Sequence, residues 1–356
     1  MHLVLAGAGH AHLEVLRRLG QQRRRGAPGL PSRLTVVTPE PVAIYSGAVP
    51  GVVAGLLPAR AAEIPLGPLF AEAGAEWMAD RITGLDASNR RLLRGRGAPL
   101  PYDLLSLDIG GLPAAPAGTL PVRPWSGFFE ALAALDPSAG RVAVIGAGPA
   151  GVELALALAR RPGARPLLLE AAPELLPGYP EGFRARVERA LRHAGISWRT
   201  DYRVERLEHG ALRSRGARMG QVALAIACTG LRPAADLRGS GLACDTEGFP
   251  RVDAGLRSLS HPEVFGAGDG VASGQPRGGV WAVRAGPVLA ENLLRALRGF
   301  PPRPWAPKPH GLMLLGTGRR EAIGLWHGLS FEGPLSWHWK RWLDDRFIRR
   351  YGGDVT

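Results

Sequence analysis

Gly146, Gly148 and Gly151 stand in the run Val142-Ala143-Val144-Ile145-Gly146-Ala147-Gly148-Pro149-Ala150-Gly151-Val152-Glu153-Leu154. Glycines at that spacing, between an apolar run and a helix-forming one, serve phosphate binding. The first permits a tight turn, the second lets backbone approach a diphosphate, and the third lets the helix pack on the strand. The helix N-terminus adds unpaired N–H groups and a partial positive charge. Glu170 closes the next apolar run, Leu167 to Leu169, 24 residues after Gly146, where a carboxylate accepts from ribose hydroxyls. Ala171, Ala172, Pro173 and Glu174 follow, and none offers a positive charge to a ribose phosphate. The expected dinucleotide is therefore one without a ribose phosphate, NAD(H) rather than NADP(H), unless Arg165 or another loop arginine reaches in.

The chain opens with a second such turn, Leu3-Val4-Leu5-Ala6-Gly7-Ala8-Gly9-His10-Ala11-His12. Gly7 and Gly9 match the first two glycines, but His12 occupies the third position and cannot give the close contact that glycine gives. His10 and His12 are placed either to donate hydrogen bonds to phosphate or to sit as half-buried residues at a helix start. Thr38, with Glu40 two residues on, stands where an acid would read a ribose. A third feature, Val264-Phe265-Gly266-Ala267-Gly268-Asp269, is a short strand entering a Gly-Asp turn, whose aspartate can bind a polyol. Gly279 to Gly286, which includes Ala282, reads as a helix start; aimed at a flavin, it would stabilise the negative charge of the reduced form.

These pieces need elements to carry them. Each glycine turn is followed by a further apolar run, Leu34 to Val37 and Leu167 to Leu169, so each set reads as one βαβ unit. The fold class is α/β, with two Rossmann-like dinucleotide-binding domains and a C-terminal extension. Gly110 to Pro124, rich in Gly, Pro and Ala, reads as a hinge. The tail begins with a proline-rich linker at Pro301 and ends in an aromatic, basic stretch from Trp337 to Tyr351. There Trp339, Leu343 and Phe347 recur every four residues beside Lys340, Arg341, Arg346, Arg349 and Arg350. Such a helix can lie in a membrane interface, cover the first domain or form a dimer seam.

The bulk properties narrow the class. With 356 residues, 46% hydrophobic and 21% charged, the chain is globular and long enough for about two domains. No stretch has the length of apolar sequence that crosses a membrane as a helix. The first apolar run is too short for a signal peptide, which points to the cytoplasm, with the tail as the route to the inner face of the membrane. The net charge of +13 invites a nucleic-acid reading, yet of 44 basic residues only Lys308 and Lys340 are lysines. That bias, with abundant Ala, Gly and Pro, fits a GC-rich coding sequence, and no nucleic-acid partner is expected. Cys228 and Cys244 form neither a C-x-x-C pair nor a metal-ligand cluster, so no metal is expected.

The chain resembles the two-dinucleotide-binding-domain flavoproteins, the pyridine nucleotide-disulfide oxidoreductase superfamily. Within it, the resemblance is to the branch related to type II NADH dehydrogenases that also occurs fused to selenide, water dikinase. It is carried by Gly7 to His12, Tyr45-Ser46-Gly47-Ala48-Val49-Pro50-Gly51, Tyr102-Asp103-Leu104-Leu105-Ser106-Leu107-Asp108-Ile109-Gly110, and Gly146 to Leu154. Val264 to Asp269, Ala282 to Pro287 and Trp339 to Tyr351 complete it, and nearly the whole chain is covered. His12 in place of the third glycine is a feature of that branch.

The resemblance implies FAD across a discontinuous first domain, residues 1–110 and 233–300, touching Gly7, Gly9, Gly268 and Asp269, with Ala282 at the helix start. It implies NAD(P)H on an inserted domain, residues 111–232, at Gly146, Gly148, Gly151 and Glu170, and leaves 301–356 as the C-terminal extension. Glu153 matches a glutamate near the nicotinamide, and Tyr45 to Gly51 would lie near the flavin ring. The activity implied is an FAD-dependent NAD(P)H oxidoreductase with an acceptor to be identified. A quinone is one acceptor; a protein electron carrier or a selenium or sulfur compound is another; a slow-turnover flavoprotein sensor is the non-enzyme reading. Two departures bear on this. No cysteine pair follows the first βαβ unit, so dithiol chemistry is not expected. Arg284 and Ala285 replace the glutamines that type II NADH dehydrogenases place near their quinone. No side chain need be an acid or base when hydride moves between bound cofactors, and no catalytic residue is assigned.

Overall fold

The computed structural model describes residues 1–135, 140–214, 217–306 and 311–354; Lys308 lies outside them. Four helices position the sites: α1 (His10–Arg24), α2 (Pro149–Leu158), α3 (Gly279–Leu297) and α4 (Pro334–Arg350). The first sheet is parallel throughout, in the order Val264–Gly266, Leu104–Leu107, His2–Ala6, Arg33–Val37, Glu76–Met78. Leu3, Val4, Leu5 and Ala6 are buried, as a central parallel strand covered on both faces requires. Helices α1 and α3 pack together over one face. A Cβ at Gly286 would stand 3.0 Å from Glu14 Cβ and 3.3 Å from the Ala11 backbone, so their approach depends on that glycine.

The second sheet repeats this plan in the order Leu120–Pro121, Leu224–Ala227, Arg141–Ile145, Arg165–Leu169, Ser197–Arg199, again all parallel. A three-stranded antiparallel sheet, Arg206–Glu208, Ala211–Ser214 and Ala217–Gln221, accompanies it. The chain leaves the first sheet and returns to it through two strands that pair antiparallel, Gly111–Pro113 with Leu231–Pro233. The expected hinge from Gly110 to Pro124 is thus built of paired strands. Its prolines fit because Leu120–Pro121 lies at a sheet edge, where a missing donor is tolerated.

The C-terminal part folds into the antiparallel strands Met313–Gly316, Ala322–Trp326 and Leu329–Gly333, followed by α4. The tail is not a detached amphipathic helix. Phe347 is buried, stacked on Tyr45 with centroids 4.5 Å apart and packed on His10 at 5.5 Å. Trp339 stacks on Phe331 and meets Trp326 edge-on. Arg350 and the Tyr351 hydroxyl reach the buried carboxylate of Glu14 at 3.2 and 3.0 Å. Burial would raise the Glu14 pKa, but hydrogen bonds from Arg17 and Arg18 outweigh it and hold the group down at about 2. Lys340, one of the basic residues of that stretch, is buried. The outward face of α4 instead carries Leu335, 85% exposed, and Trp342, 55% exposed. No helix among the described residues is long and apolar enough to cross a membrane.

His12 is wholly buried under the first turn. Its Nδ1 donates to the Gly7 carbonyl at 2.7 Å and its Nε2 accepts from Ser106 Oγ at 2.8 Å. Burial lowers its pKa to about 4, so the ring is neutral. It braces helix against strand, where a glycine would allow direct contact, and does not reach toward a phosphate. His12→Gly restores the usual motif yet should destabilise the protein, because it opens a cavity and strands two buried polar partners. The expected loss is about 2–5 kcal/mol, seen as a Tm lower by roughly 5 °C or more in thermal unfolding. An unchanged Tm would show that the imidazole braces nothing.

Candidate active site

A cavity of about 360 Å³ opens over the carboxyl ends of the first sheet's strands, the place where ligands bind in such sheets. Gly7, Gly9, His10, Thr38, Asp108, Asp269 and Ala282 line it. Gly7 has φ +87°, and a Cβ there would collide with the Asp108 carbonyl oxygen. Its N–H donates to the Val37 carbonyl at 2.8 Å, pinning the turn to the neighbouring strand. Thr38 closes that strand, and its carbonyl accepts from Trp77 Nε1 at 3.0 Å. His10 is neutral, its pKa lowered to about 4 by burial and by Arg123. Its ring meets Tyr45 edge-on at 5.6 Å.

Two buried carboxyls face this cavity. Asp269, on the turn after Val264–Gly266, has Oδ2 3.3 Å from Arg123 Nη1. Its Oδ1 is buried and accepts no hydrogen bond. A buried acceptor facing a cavity is what a polyol hydroxyl would satisfy, so the residues present fit the ribitol of FAD. Asp108, which sequence reasoning quoted without assigning, follows the strand Leu104–Leu107. Its Oδ2 accepts from the Ala11 and His12 N–H groups at 2.8 and 2.9 Å. Burial raises its pKa to about 7 against the pull of those two amides.

The second glycine turn has the same backbone as the first. Gly9 and Gly148, each preceding its helix, have φ −68°, ψ 178° and φ −69°, ψ 178°. Gly146 has φ +100°, and its Cβ would lie 2.6 Å from the Cys228 carbonyl oxygen. A Cβ at Gly151 would collide with the Gly146 carbonyl, so that glycine sets the helix–strand contact. Gly148 differs: nothing lies within 4 Å of where its Cβ would stand. Its conformation suits any residue and no protein atom demands glycine there, which leaves close approach of a ligand as the physical reason. Glu170 accepts from the Ala147 and Ala172 N–H groups at 2.6 and 2.9 Å, which fixes its carboxylate beside the turn.

Glu153, on α2, is buried and joins the two sites. Its Oε1 accepts from the Gly316 N–H at 2.7 Å and lies 3.7 Å from Lys340 Nζ. Lys340 donates to the Gly47 carbonyl at 2.7 Å and to Asp344 Oδ2 at 3.0 Å, while the Tyr45 hydroxyl donates to Asp344 Oδ1 at 2.9 Å. Burial raises the Glu153 pKa and Lys340 opposes it. Burial pulls Lys340 down, but Asp344 and Glu153 hold it above its ordinary value. Lys340 and Asp344 were not foreseen as site residues. The available signal was a lone lysine among arginines in that stretch.

The model of the family described as pyridine nucleotide-disulphide oxidoreductase matches residues 1–286, most of the chain. The chain belongs to that family. FAD and NAD(P)H are its cofactors. An NADH dehydrogenase-like protein of Mycobacterium tuberculosis is 31% identical over 240 residues, 60% of this chain and 59% of that protein. The match thus spans less than two thirds of that relative's length. Demethylphylloquinone reductase NdbB of Synechocystis is 27% identical over 300 residues, covering 76% and 74% of the two chains. In fold, the chain is similar to the sulfide:quinone oxidoreductase of Aquifex aeolicus, with TM-score 0.80, 16% identity and coverage of 98% and 91%. Both cysteines here are free, and burial pushes the Cys228 thiol up to about 12.

Asp269→Ala should release flavin. Losing a buried acceptor leaves its donors unpaired at a cost of about 1–3 kcal/mol, or roughly five- to hundredfold in affinity. Flavin content of the purified variant, read against protein concentration, checks this; full occupancy would contradict the placement.

Proposed function

We propose that the protein is an FAD-dependent NADH oxidoreductase that delivers electrons to a quinone. In this reading FAD lies in the cavity over the first sheet, against Gly7, Gly9, His10, Thr38 and Asp269, with Ala282 at the start of α3 and Tyr45 packed behind His10. NADH lies on the Gly146–Gly151 turn with Glu170 at its ribose. Held by these residues, FAD would supply the redox chemistry between the nicotinamide donor and the acceptor.

The observation that carries the reading is the junction at Lys340. Its contacts with Gly47 and Glu153 tie the loop beside the first cavity to the helix of the second turn. Two dinucleotide cradles that meet at one buried cluster are suited to bringing two cofactors' reactive ends together, and orientation is much of what the chain must provide. Glu153, Lys340, Asp344 and Tyr45 form a water-poor wall of fixed dipoles there. Cysteine-based chemistry has no support, since the chain has two cysteines and neither is paired.

The quinone is supported by the name of the Synechocystis relative and by the apolar face of the C-terminal part, where Trp326, Leu329, Leu335 and Trp342 are exposed. That face also suits peripheral contact with the membrane that holds the quinone. Arg284 in place of a glutamine favours a second reading, an acidic protein electron carrier.

Glu170 sets the donor. A ribose phosphate placed about 4 Å from a carboxylate is repelled by roughly 4 kcal/mol at an effective dielectric near 20. After solvent and rearrangement, a preference for NADH of about ten- to hundredfold in kcat/KM should survive. Steady-state rates with each donor, using a short-chain quinone and then an acidic iron–sulfur protein as acceptors, test both parts. Equal or better rates with NADPH would contradict the role of Glu170. Turnover with the protein carrier alone would replace the quinone.

A further inference from the structure

The two turns are built alike, which makes a difference in charge between them informative. The Asp108 N–H donates to the Ala6 carbonyl at 2.9 Å, and the Cys228 N–H donates to the Ile145 carbonyl at 2.8 Å. Asp108 and Cys228 carry the carbonyls that Gly7 and Gly146 approach, so they hold the same place in the repeat. At that place the second unit has a neutral side chain, and the first has a carboxyl hydrogen-bonded to the N-terminal amides of α1.

A helix N-terminus behind such a turn is where a dinucleotide sets its diphosphate. Here two of its amides are already engaged by Asp108, so the diphosphate of FAD must sit beside that carboxyl. Two like charges at contact distance in a buried site repel strongly. Asp108 cannot swing away. It is wedged between Gly9, where a Cβ would collide with the carboxyl, and Gly268, where a Cβ would lie 2.7 Å from Oδ1.

We propose that Asp108 binds the FAD diphosphate as a neutral carboxylic acid, so that loading the cofactor takes up one proton from solvent. Oδ2 keeps accepting from Ala11 and His12, and the proton on Oδ1 turns a repelling oxygen into a donor. This rests on FAD occupying the cavity over the first sheet. The charges around Asp108 agree with it. Asp269 adds a second carboxyl that disfavours ionisation, Arg123 is the cation opposing it, His10 is neutral, and the ring of His12 is engaged by Gly7 and Ser106.

The sign follows from linkage. With the Asp108 pKa already raised to about 7 in the free protein, the nearby diphosphate raises it further. Affinity for FAD is then constant below about pH 7 and falls by up to about tenfold per pH unit above it. NADH on the second turn, which has Cys228 in that place, shows no such fall.

The test is dilution of the full-length holoprotein across about pH 6 to 9, with free flavin fluorescence giving Kd at each pH. Wild type should show the break, and Asp108→Asn should abolish it and bind FAD about tenfold or more tighter than wild type at the alkaline end. Because the variant could fail to fold, proton uptake by wild type in weak buffer near pH 8 is measured as well. About one proton per FAD is expected. A wild-type Kd that does not vary with pH, an uptake near zero, or a slope kept in Asp108→Asn would overturn the proposal. Wild-type flavin affinity in Asp269→Ala would instead remove the cavity assignment on which it rests.

Discussion

A single buried ammonium holds the working parts together. Lys340 arrives on the last helix, yet its partners are a backbone carbonyl of the first domain, Gly47, and carboxylates on two helices, Asp344 and Glu153. A buried cation stripped of partners is costly, about 3–5 kcal/mol when one side of such a pair is lost. The Tyr45 loop, α2 and α4 are therefore stable only when all three are in place. Gly316, bonded to Glu153, brings the C-terminal sheet into the same contact. The tail is in this sense part of the site: Phe347 stacks on Tyr45, and Arg350 and Tyr351 close on Glu14 beneath it.

Around that junction the chain uses one design twice and then breaks its symmetry. Gly7 and Gly146 turn the backbone alike, and Gly9 and Gly148 enter their helices with nearly equal angles. The differences lie in two positions. Where the second unit has Gly151 and Cys228, the first has His12 and Asp108. A histidine brace and a carboxyl bonded to the helix amides set the first turn apart from its twin.

How much of this was legible beforehand depends on the range of the interactions. The two βαβ units were readable because glycine spacing and apolar runs act within about thirty residues. The Gly268-Asp269 turn was readable for the same reason. The roles of His12 and Asp108 were not, since the partner of His12 is Ser106, and Asp108 meets Ala11 across the first unit. The place of Lys340 was not readable either, because helical spacing shows which residues share a face, not what that face meets; its partner Gly47 is 293 residues away. The stretch from Gly110 to Pro124 reads as a connection between the two units by its composition, but the strands within it are defined by partners at Leu231–Pro233 and Leu224–Ala227 and could not be read locally.

In the proposed function, the Lys340 junction holds two cofactor sites in register for hydride transfer. Rapid anaerobic mixing of the holoprotein with NADH, following the visible flavin absorption in wild type and Lys340→Met, tests it most directly. Wild type should bleach at about 1 s⁻¹ or faster. The flavin-loaded variant should bleach at least about tenfold more slowly, because its sites are no longer fixed relative to one another. Equal rates in the two proteins, or no bleaching of wild type over minutes, would contradict it.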